Sequence, residues 1–149
     1  MISFRSTALL ALATLAMTTG LRAAGTEKTL YERLGGQPAI QAVASGLVDS
    51  ILADSRVNKW FAHAASSPAN TAAYKAKLGA FLCKNTGGPC TYPGLDMSTA
   101  HKGRGVTSDA FDAVVQDLVA VLDKLKVPAK EKTDVLNLLG PLKAVIVQY

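Results

Sequence analysis

Thr107-Ser108-Asp-Ala-Phe111-Asp-Ala-Val114-Val115-Gln-Asp-Leu118-Val-Ala-Val-Leu122-Asp-Lys-Leu125 is the stretch that decides the fold class. Its apolar residues Phe111, Val114, Val115, Leu118, Leu122 and Leu125 return every three or four positions. That is the period of one helix face, not the two-residue alternation of a strand. Thr107 or Ser108 can cap the first turn, because a side-chain oxygen there accepts from backbone amides that have no partner inside the helix.

The same reading extends in both directions. Downstream, Pro128 opens a last helix with a wide apolar stripe of Val135, Leu138, Leu139, Leu142, Val145 and Ile146. Gly140-Pro141 interrupts it and predicts a kink, since proline removes an amide donor and its ring clashes with the preceding turn. Upstream, Gly103 and Gly105 break a brief helix around Met97 to Lys102 that holds His101. Before it, Cys90 to Asp96, with Pro93-Gly94, reads as a turning loop, and Gly87-Gly88-Pro89 ends a helix that Pro68 with Asn70 or Thr71 can start. That helix places Tyr74, Leu78, Phe81 and Leu82 on one face. Asp54 to Ser67 is mixed in character around Trp60-Phe61. Further back, Pro38 suits a first helical position, and Ile40, Val43, Leu47 and Ile51 form a buried face running to about Ala53. Thr29-Leu-Tyr-Glu32 is a capping-box pattern whose helix stops at Gly35-Gly36. No stretch alternates in the manner of a strand, so the class is all-α.

At 149 residues the chain suits one domain with a single core. Its start reads Met1-Ile-Ser-Phe-Arg5, then an apolar run from Ala8 to Met17, then small residues to Ala24. A membrane span needs about 20 apolar residues, and this run is shorter; the outline is that of a secretory signal peptide. The expected division is therefore a signal peptide over 1-23, removed after Ala23 or Ala24, and a mature domain over 24-149. The mature protein would be periplasmic or secreted, with no stable membrane anchor. Removal takes away Arg5 and Arg22 and lowers the formal charge from +5 to +3. The remaining lysines are scattered, without the clustered basic run that a nucleic-acid groove needs.

Cys83 and Cys90 are the only cysteines. In an export-directed chain they can pair as a disulfide, worth roughly 2.5 kcal/mol on the chain-entropy model; the alternative is two free thiols. Neither a CxxC nor a CxxCH motif is present, and His63 and His101 sit in no zinc-type spacing. With only those two histidines to serve as imidazole bases, a nucleophile-base-orienter hydrolase has little to draw on. A lone histidine such as that in Ser98-Thr-Ala-His101-Lys102 is by composition an ordinary polar side chain.

The pattern around it changes that reading. Leu30-Tyr-Glu-Arg-Leu-Gly-Gly36, Leu52-Ala-Asp54 followed by Trp60-Phe61, Gly87-Gly88-Pro, Tyr92-Pro-Gly, and Met97 with Ala100-His101-Lys-Gly-Arg-Gly-Val106 occur in one order. In this the sequence resembles the group 1 truncated haemoglobins, over roughly Thr29 to Val147. The resemblance implies a truncated globin-like two-over-two helical sandwich around haem b. It implies that His101 binds the iron, that Met97 and Val106 line the same face of the haem, and that Phe61 wedges against it. Neutral imidazole is a good iron ligand.

The chain also departs from the family. Many relatives carry a tyrosine on the second helix and a glutamine on the distal helix, two donors to the gas ligand; the matching positions here are Val48 and Leu78. Each lost hydrogen bond is worth about 0.5–1.5 kcal/mol, so oxygen is expected to leave faster. Tyr74, one turn before Leu78, either reaches the ligand or points to solvent. Lys77 stands where some relatives supply a sixth iron ligand. A lysine could do so only as the neutral amine, which costs free energy near neutral pH, so Lys77 is expected to be solvated or paired with a haem propionate. His63 is expected to face water.

The resemblance thus implies reversible binding of a diatomic gas, oxygen, nitric oxide or carbon monoxide. The alternatives are a haem redox enzyme, such as a nitric oxide dioxygenase or a peroxidase-like protein served by a redox partner, and a helical module that has lost haem. The signal peptide sets the chain apart from its mostly intracellular relatives and from cytosolic reductases.

Overall fold

The structure is a computed structural model that describes residues 27–148. The expected signal peptide, with its cleavage after Ala23 or Ala24, lies outside the described residues. Among the described residues eight α-helices follow one another: α1 (Leu30–Leu34), α2 (Gly36–Ala53), α3 (Ala62–Ala65), α4 (Pro68–Asn85), α5 (Met97–His101), α6 (Ser108–Lys124), α7 (Ala129–Leu139) and α8 (Lys143–Ile146). Single 3₁₀ turns occupy Asn58–Phe61 and Gly140–Leu142. No strand occurs among the described residues, and the arrangement is the two-over-two globin sandwich.

Local chemistry sets most boundaries. Thr29 and Glu32 cap one another reciprocally at the start of α1. Ser67 caps α4, Asp96 caps α5 and Thr107 caps α6, each accepting from an amide three residues on. Two expectations need adjustment. The second helix begins at Gly36, two residues before Pro38, because Gly35 at φ 109° ends α1 and starts α2 at once. The interruption at Gly140-Pro141 takes the form of a 3₁₀ turn between α7 and α8.

α2 is the central beam, packing across both α4 and α6. Ile40, Val43, Ala44, Leu47 and Ile51 enter the core from α2, Leu82 and Cys83 from α4, and Ala110, Ala113, Leu118 and Leu122 from α6. Val135 and Ile146 close it from the last helices. Leu125 and Val145, both placed in apolar stripes by periodicity, are exposed. Leu125 is already past the end of α6, where the chain leaves the helix axis.

Cys83 and Cys90 are joined, with Cα atoms 5.8 Å apart. The bond ties the end of α4 to the loop leading into α5. Arg33 of α1, a helix whose Tyr31 amide donates to the Thr86 carbonyl at the end of α4, reaches Glu131 (2.7 Å) and Asp134 (2.6 Å) on α7. Its guanidinium, hydrogen-bonded to the Asp134 carboxylate, holds that group below the usual carboxylate range.

Candidate functional site

The site begins with α5, a single turn whose last residue is His101. Asp96 starts the turn, accepting from the Thr99 amide at 2.9 Å and from its hydroxyl at 2.6 Å. Those bonds hold the Asp96 carboxyl below its ordinary value. Half-buried His101 points its Nδ1 back to the Met97 carbonyl at 2.8 Å. A carbonyl can only accept, so Nδ1 carries a proton, and in the neutral imidazole the lone pair is then on Nε2. Imidazoles that bind metals are held in this way, the far nitrogen fixed by a hydrogen bond to backbone or carboxylate.

Beside α5 lies a groove of about 430 Å³ lined by Phe81, Tyr92, Met97, Leu142 and Val145 among others. Its volume falls in the range of cofactor and ligand pockets. Phe81 and Tyr92 meet edge to face, ring centroids 5.3 Å apart, and the Tyr92 hydroxyl donates to the Leu95 carbonyl at 3.1 Å. Phe61, from the 3₁₀ turn, packs edge to face on Tyr74 of α4 at 5.7 Å. Phe61, Tyr74, Leu78, Phe81 and Met97 all pack against one apolar core. Burial pushes the Tyr74 phenol up to about 12, with Tyr92 raising it further and Arg104 pulling it down.

The residues singled out in the sequence divide by position. Val48 is fully enclosed on α2 and Val106 nearly so, Leu78 is half-buried on α4, and Lys77 and His63 face solvent. Among the described residues no three His, Cys, Asp or Glu side chains cluster as a metal-ion site. The groove sets Phe81, Met97 and Leu142 beside polar Lys84, Asn85 and Asp96, and His101 lies one turn from its Met97 wall; a partly apolar groove next to an oriented imidazole fits haem.

Sequence reasoning missed the residues that hold the loop after His101. Trp60 Nε1 donates to the Arg104 carbonyl at 3.0 Å. Gln148 donates from Nε2 to the His101 carbonyl at 2.8 Å and accepts at Oε1 from the Gly105 amide at 3.0 Å. These contacts join residues more than forty positions apart, and no local pattern announces them.

A family model described as bacterial-like globin matches residues 29–148. A group 1 truncated hemoglobin of Tetrahymena thermophila is 35% identical over 101 residues, covering 68% of this chain and 79% of that protein. One from Synechocystis is 36% identical over 104 residues, covering 67% and 80%. Among solved structures, truncated hemoglobin from Tetrahymena pyriformis in its Fe(III) form superposes with a TM-score of 0.72 at 28% identity, covering 82% of this chain and all of that one. The 2/2 hemoglobin of Synechococcus, solved with covalently attached heme, superposes with a TM-score of 0.67 at 31% identity, covering 76% and 91%.

Proposed function

This chain belongs to the bacterial-like globin family, among the group 1 truncated haemoglobins, and from that premise we propose that it binds haem b and reversibly takes up a diatomic gas with His101 as the iron ligand. The observation that carries the assignment is the Nδ1 to Met97 carbonyl bond at 2.8 Å, which fixes the tautomer and leaves Nε2 free. Haem, when bound, supplies an iron centre with a position open to oxygen, nitric oxide or carbon monoxide.

The chain's own groups tune that chemistry. Met97, Phe81 and Leu142 offer an apolar surface in the groove, while Val106, past the glycines, is buried in the core. Phe61 braces the Tyr74 ring. Val48 and Leu78 bring no donor toward the gas, so release is fast. The Tyr74 phenol remains the one distal donor of the proposed set, protonated through the physiological range because burial raises it. Exposed Lys77 suits a haem propionate rather than the metal. The missing donors weigh against a nitric oxide dioxygenase, which needs oxygen held long enough to react. We place the mature domain, residues 24-149, outside the cytoplasm after removal of 1-23.

The test is to express the mature domain from Ala24 with haem supplied and record ferric, ferrous and carbon-monoxide spectra beside a His101→Gly variant. A Soret band that shifts with carbon monoxide in the wild type, is lost or displaced in the variant and returns with added imidazole is the expected result. A wild-type protein that takes up no haem, or a variant with an unchanged spectrum, overturns the assignment.

A further inference from the structure

We infer that Gln148 is a positioning residue for the iron-ligating imidazole, holding it in place from beyond the last helix; the inference rests on the globin reading. α5 is one turn long, and an isolated turn has no stability of its own. His101 is its final residue, and its carbonyl, past the last intrahelical bond, accepts from the Arg104 amide at 3.1 Å and has a second lone pair to offer. The chain then passes through Gly103 at φ 73° and Gly105 at φ 64°, backbone that only glycine adopts freely. A ligand carried on such a strap must be pinned from outside.

Gln148 supplies the pin with three bonds. Its backbone amide donates to the Val106 carbonyl at 3.0 Å. Its side chain brackets the strap, Nε2 on the His101 carbonyl at 2.8 Å and Oε1 on the Gly105 amide at 3.0 Å. Only a primary amide presents a donor and an acceptor side by side in one plane. Keeping the His101 carbonyl in place keeps α5 wound. A wound α5 keeps the Met97 carbonyl under Nδ1, and so sets the direction of Nε2.

The experiment uses the haem-loaded protein and compares Gln148→Ala, Gln148→Glu and Lys143→Ala. Gln148→Glu keeps the acceptor for Gly105 but deletes the donor to His101, and it serves if Gln148→Ala fails to fold. Lys143→Ala cuts the ion pair between α8 and Asp112 of α6 at 2.7 Å and reports on stability alone. Two signals are read: the iron–imidazole stretching band of the ferrous protein by resonance Raman, and the rate of haem transfer to a scavenging apoprotein. Both Gln148 variants should shift or broaden the band and release haem roughly three- to tenfold faster, as loss of one to two hydrogen bonds implies. Lys143→Ala should leave the band in place. Gln148 variants with wild-type band and haem retention, or a Lys143→Ala variant that moves the band equally, overturn the inference and leave the globin reading standing. A wild type without haem overturns both.

Discussion

The wall made by α2 and α4 and the strap from Asp96 to Val106 both border the candidate site, and they are held by different forces. The wall is a packed interior: Ile40, Val48, Ile51 and Cys83 are at most 2% exposed. The strap has few such residues. It is fixed by the Asp96 cap, the Arg104 side chain on the Ala100 carbonyl, Trp60 on the Arg104 carbonyl and Gln148 on His101. Apolar packing is dense and cooperative, whereas exposed hydrogen bonds compete with water. The wall should therefore govern global stability, and the strap should govern how the imidazole is presented.

The largest test of that contrast is Ile51→Ala, which empties a fully buried site on α2. It should cost about 2–5 kcal/mol of unfolding free energy, read as a fall in the urea midpoint. Asp96→Ala should lower the midpoint less while disturbing the haem spectrum more. If Asp96→Ala proves the more destabilising of the two, the strap is part of the core and the contrast fails.

Next comes the link between the two regions, the Cys83–Cys90 disulfide across seven positions. Replacing both with serine should cost about 2.5 kcal/mol, because the unfolded chain regains the entropy of an open loop. Reducing agent should do the same to the wild type and nothing further to the double variant. Equal midpoints with and without reductant in the wild type would mean that the loop is pinned by its hydrogen bonds alone.

Tyr74 offers a smaller and pH-dependent test of the wall. In the folded chain its phenol titrates near 12, two units above the ordinary value of 10.0. The unfolded chain then loses the proton first as pH rises, so the stability that Tyr74 contributes is whole below pH 10 and drains away between about 10 and 12. The loss should be about 1–2 kcal/mol once residual solvent contact is allowed for. Tyr74→Phe should flatten that alkaline slope in a denaturation series. An unchanged slope would mean that the phenol is wetter than its packing against Phe61 implies.

Much of the fold was legible because its signals are local. Capping at Thr29 needs only Glu32 three residues away, and the α6 face repeats over seventeen residues, so type and span follow from spacing. The one-turn elements Asn58–Phe61 and Ala62–Ala65 were not legible, because a single turn shows no period. In the candidate site, the roles proposed for His101, Met97 and Phe61 come from their order along the chain, which a sequence displays directly. Trp60 and Gln148 could not, since their work is done on backbone atoms forty-four and forty-seven residues away, which carry no side-chain signature. Sequence pattern reports what a residue does to its own element; a hydrogen bond to a distant carbonyl leaves that pattern untouched.

The smallest expected effect addresses what the wall lacks. Leu78 is half-buried on α4, one turn after Tyr74, and glutamine has nearly its volume plus an amide donor. If release is fast because the wall offers too few donors, Leu78→Gln adds one hydrogen bond of about 0.5–1.5 kcal/mol, slowing oxygen dissociation from the ferrous protein roughly three- to tenfold. Stopped-flow release into carbon monoxide measures this directly. The same change buries an amide that the empty site cannot satisfy, so the gas-free protein should be slightly less stable than wild type. Slower release without that loss would mean the amide already has a partner in the wall. Unchanged release, together with faster release in Tyr74→Phe, would mean that the phenol alone commands the gas ligand, and the apolar character of Val48 and Leu78 would then concern packing rather than binding.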